Sequence, residues 1–239
     1  MPLDGQTQTL NRIYKDRDAQ DVLTHAFTSF GDMALVSSFG AESVVLLHMA
    51  AQIDRTVPVL FIDTEMLFAE TLDYQRNVAS SLGLSNVQVI RATRDTLFER
   101  DNENLLHLHD PDACCALRKT EPLQKALAGF DGWISGRKRY QGGDRHALEL
   151  FEVDRPLGRM PRVKVNPLAR WDSSDLRDYI TTHNLPRHPL VAKGFPSVGC
   201  APCTTRAGSG ENTRAGRWRD TSKSECGIHF DNGQIARSA

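Results

Sequence analysis

The sequence predicts an α/β protein with a doubly wound, mostly parallel sheet. Short apolar runs suited to buried strands alternate with segments of helical periodicity between residues 18 and 90. Gly31 and Gly83 end two of the helical segments, and small or polar residues follow the first two strands. A β-α-β-α-β order of this kind favours parallel strands covered by helices on both faces.

The spacing of apolar residues places the individual elements. Helices are predicted over residues 18–30, 44–51, 68–82, 110–128 and 173–183, and strands over 33–36, 57–62, 87–90, 133–135 and 163–165. Asp110 or Asp112 is expected to cap the fourth helix, and Asp172 or Ser174 the fifth. Three parts follow: a flexible N-terminus (1–15), a single α/β domain (16–203) and a mobile C-terminal tail (204–239).

Composition narrows the class of protein. The 239 residues are 40% hydrophobic and 25% charged, with a net charge of −1, values typical of a soluble globular protein. The chain lacks the overall positive charge that bulk nucleic-acid binding needs. No secretory signal is evident, and the longest apolar stretch, 44–53, is too short to span a bilayer. We therefore expect a cytoplasmic protein with reduced thiols and no membrane contact.

Four of the five cysteines form two pairs, Cys114-Cys115 and Cys200-Ala201-Pro202-Cys203. Adjacent cysteines do not readily bond to each other, but each can bind a different atom of one cluster. Four thiolates in two pairs suit either a four-iron four-sulfur cluster or a structural zinc ion. The plainer alternative is that they are redox-inert core residues. Cys226 stands alone in the polar tail.

Three loops are candidates for ligand contacts. Residues 37–43 join a strand to a helix through small residues, a layout that presents backbone N–H groups to phosphate. Asp63 and Thr64 end the second strand, at the edge of the sheet where open α/β folds bind ligands. Residues 137–145 form a basic loop after the fourth strand. Each could instead be structural: a helix cap at Ser43, a turn cap at Asp63, and a solvated surface loop.

Taken together, these motifs resemble the assimilatory adenylyl-sulfate reductases, members of the phosphoadenylyl-sulfate reductase family of PP-loop adenine-nucleotide enzymes. The resemblance covers roughly residues 30–230. It rests on Ser37 to Ser43, Cys114-Cys115 with Arg118-Lys119, Trp133 with the basic loop, Val165-Asn166-Pro167-Leu168, Gly199-Cys200-Ala201-Pro202-Cys203, Arg214-Ala215-Gly216-Arg217-Trp218 and Glu225-Cys226-Gly227-Ile228-His229.

The resemblance implies reduction of adenylyl sulfate to sulfite and AMP in sulfate assimilation and cysteine biosynthesis. Cys226 would be the nucleophile that becomes S-sulfocysteine, and thioredoxin would supply the electrons. One four-iron four-sulfur cluster would be held by Cys114, Cys115, Cys200 and Cys203. The implied substrate contacts are Ser37, Ser38, Gly40, Glu42, Ser43, Asp63, Thr64, Lys119, Arg139, Arg214, Arg217 and His229.

The sequence departs from the family pattern at two places, and several alternative functions stay open. Glu65 stands where many relatives have glycine, and Gly136-Arg137-Lys138-Arg139 replaces a Gly-Leu-Arg-Arg sequence. The enzyme could also or mainly use 3′-phosphoadenylyl sulfate. Rival classes are an ATP-dependent PP-loop enzyme that modifies tRNA, and a zinc-stabilised nucleotide sensor. The sequence leaves the oligomeric state open, and a homo-oligomer is compatible with it.

Overall fold

The computed structural model describes residues 2–219, 223, 230–231 and 234–235. The helices are α1 (Leu3–Ile13), α2 (Ala19–Ser29), α3 (Ser43–Ile53), α4 (Ala69–Leu82), α5 (Arg94–Asp101), α6 (Leu106–His109), α7 (Pro111–Cys115), α8 (Glu121–Ala126), α9 (Ser173–Thr182) and α10 (Pro189–Ala192). The strands are β1 (Met33–Ser37), β2 (Val59–Ile62), β3 (Val87–Ile90), β4 (Gly132–Ser135), β5 (Phe151–Asp154), β6 (Arg162–Val165), β7 (Phe230–Asp231) and β8 (Gln234–Ile235).

Six strands form one sheet in the order β3-β2-β1-β4-β6-β5, and all neighbours except β5 and β6 are parallel. The chain steps outward from β1 to β3 and then returns to the other side of β1 with β4. The carboxyl ends of β1 and β4 therefore flank a topological switch point, where open α/β sheets bind ligands. The predicted doubly wound, mostly parallel sheet is confirmed.

Both faces of the sheet are buried at its central strands. Leu60 and Phe61 are neighbours on β2, exposed by 0% and 1%, and they belong to two different core clusters. Successive side chains of a strand point to opposite faces, so each cluster lies on one face of the sheet. A strand covered on both sides must be apolar throughout, which is why β2 is recognisable in the sequence as a continuous apolar run.

Strand β5 was not predicted. It pairs antiparallel with β6 at one edge of the sheet and carries the charged residue Asp154, which is nevertheless buried. The Asp154 carboxylate accepts hydrogen bonds from Trp133 Nε1 at 2.9 Å and Arg162 Nε at 2.7 Å. The partners of this buried charge lie on other strands of the sheet, so β5 itself shows no apolar pattern from which it could be predicted. The short helices α5, α6 and α10 were missed for a related reason, since they span only eight, four and four residues.

Residues 3–13, which belong to the segment expected to be flexible, form helix α1. Thr7 and Leu10 are buried. The Asn11 amide bonds both backbone groups of Phe151 on the edge strand β5, donating to the carbonyl at 2.8 Å and accepting from the N–H at 2.9 Å. These contacts join distant parts of the chain, so local periodicity gives no sign of them.

Residues 204–219, the first part of the expected mobile tail, pack against the folded domain. Residues 204–219 fold back on the second cysteine pair: Thr205 N–H donates to the Gly216 carbonyl at 2.7 Å, and Trp218 N–H to the Cys203 carbonyl at 3.1 Å. Trp218 is 5% exposed. No helix in the described part of the chain combines the length and apolar character that a bilayer crossing requires.

Candidate active site

A cavity of about 220 Å³ opens at the switch point. Ser37 at the end of β1, Ser135 at the end of β4 and Ile62 at the end of β2 all line it. Other walls come from the loop after β1, the start of α4, the π-helical turn described below, and residues 196–200 and 213–217. This placement follows from the sheet, because parallel strands bring their carboxyl ends to one edge.

The loop after β1 is shaped by its own serines. Ser37 Oγ accepts a hydrogen bond from Phe39 N–H at 3.1 Å, and Ser43 Oγ accepts one from Gly40 N–H at 3.0 Å. Phe39 has a φ of +46° and is fully buried. Ser43 is the first residue of α3 rather than its cap, which is Glu42. The predicted contacts Ser37, Ser38, Gly40, Glu42 and Ser43 all line the cavity.

Glu42 is tied to the basic loop. Its carboxylate accepts hydrogen bonds from Lys138 Nζ at 2.7 Å, Gln141 Nε2 at 3.2 Å and the Tyr140 hydroxyl. Burial alone would raise the pKa of Glu42, but Lys138 and these hydrogen bonds outweigh it and lower the pKa. The carboxylate is therefore charged at neutral pH and holds the buried Lys138 at the cavity wall.

Among the residues that the structure describes, six cations line the cavity. Three of them, Lys119, Arg214 and Arg217, were predicted as substrate contacts; the other three are Arg137, Lys138 and Arg145. The basic loop after β4 was recognised in the sequence, but the contact was assigned within it to Arg139. Arg139 is not among the cavity's lining residues: its Nε donates to the Leu148 carbonyl at 2.6 Å, and its Nη2 lies 3.4 Å from Glu149. In an irregular loop, sequence spacing does not fix which side chains point inward.

Asp63 and Thr64 have different surroundings. Asp63 Oδ1 accepts a hydrogen bond from Glu65 N–H at 2.9 Å, and Oδ2 is bound by Arg91 at 2.8 Å, so the carboxylate caps a turn beside the cavity. Thr64 does line the cavity, and its hydroxyl lies 3.2 Å from Cys200 Sγ. The turn cap expected as the structural alternative for Asp63 is present, and its contact with substrate stays a prediction.

Cys114 and Cys115 end helix α7, which Asp110 caps by accepting hydrogen bonds from the N–H groups of residues 112 and 113. A π-helical turn, Ala116–Thr120, follows and carries Arg118 and Lys119. Single π-helical turns often mark functional sites. Nothing in the residue spacing predicted this one.

Arg118 fastens this turn to the sheet. It is 2% exposed, bonds Asp101 at 2.7 Å and Asn104 Oδ1 at 2.8 Å, and donates to the Thr64 carbonyl at 3.0 Å. Since Thr64 also contacts Cys200, one residue at the end of β2 links the segments that carry the two cysteine pairs.

The two cysteine pairs occupy one neighbourhood. Ala201 N–H donates to the Met66 carbonyl at 2.7 Å, which holds the second pair at the end of β2. Burial raises the pKa of Cys114 to about 12, and the neighbouring thiols of Cys115, Cys200 and Cys203 add to the rise against the effect of Arg118. Burial also raises the pKa of Cys203, whereas nearby Lys119, Arg217 and Lys223 act to lower it.

Four sulfur donors in one place suit an iron–sulfur cluster by their chemistry. Among the described residues, no group of three or more histidine, cysteine, aspartate or glutamate side chains is arranged to hold a metal ion. The four-cysteine site therefore stays a prediction.

The returning segment, residues 213–218, brings two cations to the cavity. Arg217 Cζ lies 4.3 Å from the centroid of the Trp218 ring, and Arg214 Cζ lies 5.8 Å from it. The Nε of Arg217 is buried and has no hydrogen-bond acceptor in the described part of the chain. A buried donor of this kind is unfavourable until an acceptor is bound, which marks Arg217 as a candidate anion contact.

Two predicted residues, Cys226 and His229, lie outside the described residues. Lys223, close to them in sequence, forms an ion pair with Asp112 in the first turn of α7. The chain thus passes the cysteine pairs again just before Cys226.

Three comparisons place the chain among known proteins. Residues 32–206 match the phosphoadenosine phosphosulfate reductase domain. The chain is 43% identical to adenosine 5′-phosphosulfate reductase of Chelativorans sp. (strain BNC1), covering 96% of this chain and 94% of the relative. It is 37% identical to phosphoadenosine 5′-phosphosulfate reductase of Gloeobacter violaceus, over 96% of both.

A solved structure has a similar fold. The crystal structure of phosphoadenylyl-sulfate reductase from Candida auris, in a phosphate complex, superposes with a TM-score of 0.70 at 26% identity, covering 83% of this chain and 96% of that one. With the domain match spanning more than half of the sequence, the chain belongs to the phosphoadenosine phosphosulfate reductase family.

Proposed function

We propose that the protein reduces adenylyl sulfate to sulfite and AMP, with thioredoxin as electron donor, in sulfate assimilation. The observation that carries the proposal is the cation-lined cavity at the switch point, with both cysteine pairs beside it. The named relatives support the same reaction class, since they are reductases of adenosine 5′-phosphosulfate or its 3′-phosphorylated form.

The cavity has the chemistry that this substrate requires. Leu35, Val36 and Ile62 provide an apolar wall for an adenine ring, and the loop after β1 supplies backbone and hydroxyl groups for the ribose and phosphate. Lys119, Arg214 and Arg217 offset the negative charge of the phosphosulfate and of AMP as it leaves. A thiolate can approach a polyanionic substrate only where cations balance this charge.

Cys226 is the proposed nucleophile. Its thiolate attacks the sulfur of the sulfate–phosphate anhydride, the S–O bond to AMP breaks, and Cys226 keeps the sulfonate as S-sulfocysteine. A thioredoxin thiolate then attacks the Cys226 sulfur and releases sulfite as the S–S bond to the sulfonate breaks. The second thioredoxin thiol resolves the mixed disulfide, which regenerates Cys226 and leaves oxidised thioredoxin. The donor comes from outside because the other four cysteines are assigned to the cluster.

One four-iron four-sulfur cluster is the proposed cofactor, with Cys114, Cys115, Cys200 and Cys203 as its ligands. When bound, such a cluster adds charge and structural constraint beside Lys119, and the thiol chemistry accounts for the reduction without it. The domain proposal follows from the same assignment: residues 16–203 bind nucleotide and cluster, and 204–239 bring Cys226 to the cavity. A reducing compartment such as the cytoplasm suits a reaction that depends on thiols.

The decisive experiment compares substrates. Anaerobically purified protein is assayed for sulfite release from adenylyl sulfate and from its 3′-phosphorylated analogue, with thioredoxin as donor. We expect a higher kcat/KM for adenylyl sulfate, and about four irons per chain by elemental analysis. Absence of sulfite from both substrates would end the proposal, and a higher kcat/KM for the analogue would reverse the substrate assignment. Purified protein that contains zinc and no iron would contradict the proposed iron–sulfur cluster.

A further inference from the structure

His188 is a buried imidazole whose tautomer is set by its neighbours. It is 1% exposed and caps α10, with Nδ1 accepting the Leu190 N–H at 3.2 Å. Because a backbone N–H can only donate, Nδ1 carries the lone pair and Nε2 carries the proton. Burial lowers the pKa of His188 to about 4 although the carboxylate of Glu70 acts in the opposite direction, so the ring is neutral at neutral pH.

The proton on Nε2 points to a cavity residue. Nε2 lies 3.1 Å from Thr71 Oγ1, so the Thr71 oxygen accepts and keeps its own hydrogen for another acceptor. In the part of the chain that the structure describes, no second hydrogen bond involves this hydroxyl. Thr71 is 2% exposed and lines the cavity. A buried hydroxyl hydrogen beside a binding cavity implies an acceptor on the bound molecule.

We propose that Thr71, oriented by His188, donates a hydrogen bond to a ring nitrogen of the adenine base. His188 is then a positioning residue, which polarises the hydroxyl by donating to it. The inference rests on the proposed function, because it takes an adenylyl nucleotide as the ligand. Thr71 and His188 would then recognise the base, whereas the cavity cations bind the anionic part of the nucleotide.

The surroundings favour the base over the phosphosulfate. Ile62, Leu67 and Pro196 line the cavity with Thr71 and give it an apolar wall. The charge that acts on the His188 ring comes from Glu70, whose carboxylate is paired with Lys193 at 2.8 Å, and no cavity cation contributes. A phosphate or sulfate at this place would therefore lack the cations that line the rest of the cavity, whereas a neutral ring nitrogen needs none.

The experiment measures AMP binding by calorimetry, with wild-type protein as reference. Thr71→Val keeps the shape and removes the hydroxyl, and we expect its affinity to fall between about twofold and tenfold, the range of one neutral hydrogen bond. Thr71→Ser restores most of the loss. The matched control is Thr181→Val, on the exposed side of α9, where the hydroxyl bonds only its own helix at Arg177.

Analogues identify the acceptor. The 1-deaza, 3-deaza and 7-deaza forms of AMP each replace one ring nitrogen by carbon. The penalty of Thr71→Val should vanish with one of the three and persist with the other two, as a double-mutant cycle requires for a direct contact. A purely structural role of Thr71 would give the same penalty with all three.

Two variants of His188 separate its two hydrogen bonds. His188→Asn keeps an acceptor for Leu190 N–H and loses the donor to Thr71, and we expect AMP affinity to fall by about threefold. His188→Gln carries an amide N–H to the position of Nε2 and should bind AMP better than the Asn variant. In the Thr71→Val background, His188→Asn should cause no further loss, and melting temperatures report any general damage.

The outcomes are distinguishable from those of the proposed function. Wild-type protein that does not bind AMP would contradict the proposed function itself. Wild-type binding that Thr71→Val leaves unchanged, or a Thr71→Val penalty that is equal for all three deaza analogues, would overturn this inference alone.

Discussion

The guanidinium group of Arg217 lies directly over the Cα of Gly199. A Cβ atom at residue 199 would stand 2.3 Å from Nη2 and 2.4 Å from Cζ of Arg217, closer than carbon contacts allow. Gly199 precedes the cluster candidate Cys200, so the anion contact Arg217, on the returning segment, packs against the backbone that carries the second cysteine pair.

The first prediction follows from this contact. Gly199→Ala should displace Arg217 and weaken AMP binding by about 1.5 kcal/mol, close to the loss in Arg217→Ala, because hydrogen bonds to charged groups are worth that much. The double variant should bind no worse than Arg217→Ala. Gly129→Ala is the control, since no atom of the described residues beyond its chain neighbours lies within 4 Å of the Cβ that it adds. If the losses of AMP affinity in the two single variants added up in the double variant, Gly199 and Arg217 would act independently, which would contradict this prediction.

The second prediction concerns the cavity cations. Alanine at Lys119, Arg214 or Arg217 should each reduce kcat/KM for adenylyl sulfate by about 1.5–3 kcal/mol. Arg139→Ala should stay near the wild-type value, because its guanidinium binds Leu148 and Glu149 outside the cavity lining. Steady-state kinetics decide the matter. If Arg139→Ala reduced kcat/KM as much as the other three variants, Arg139 would be a substrate contact, as the family resemblance implies.

The third prediction concerns Cys226. Cys226→Ser should keep AMP binding and iron content but release no sulfite, since a serine hydroxyl is a far weaker nucleophile than a thiolate at neutral pH. Wild-type protein given adenylyl sulfate without thioredoxin should gain the mass of one sulfonate, and the variant should not. Near-normal turnover by Cys226→Ser would refute the covalent mechanism.

The fourth prediction concerns pH. The pKa of His188 falls from 6.5 unfolded to about 4 in the folded protein, so only the unfolded state takes up this proton between those values. Folding stability should therefore drop as pH falls through that window, by about 3 kcal/mol from this residue, at about 1.4 kcal/mol per pKa unit. Denaturant unfolding at pH 7 and pH 4.5 measures the effect. His188→Gln should lose less stability than wild type over the same interval; an equal loss would contradict the assignment.

Much of this molecule is readable from its sequence because local patterns determine it. Val59–Ile62 is a strand buried on both faces, and an unbroken apolar run identifies it. Asp110 and Asp172 cap helices as expected, since a cap depends on a few adjacent residues. The cysteine pairs are recognisable by spacing alone, although their metal stays a prediction.

What the sequence did not reveal depends on contacts between distant residues. Thr71 and His188 are 117 positions apart, and neither lies in a motif identified from the sequence. The choice among Arg137, Lys138, Arg139 and Arg145 depends on side-chain directions in an irregular loop, which have no period to follow. Buried charge pairs such as Asp154 with Arg162 look like surface residues until the strands are placed side by side.

The Asn11 side chain makes the backbone hydrogen bonds that a further strand would make at the β5 edge of the sheet. Its amide satisfies the outward N–H and carbonyl of Phe151 as a neighbouring strand would, so helix α1 seals an edge of the sheet against pairing with another chain. At the far end of β5, the turn to β6 presents Leu157 and Met160, exposed by 85% and 83%. Trimming the N-terminus past residue 11 would thus open an edge strand beside an apolar tip, and the penalty would be aggregation rather than lost catalysis.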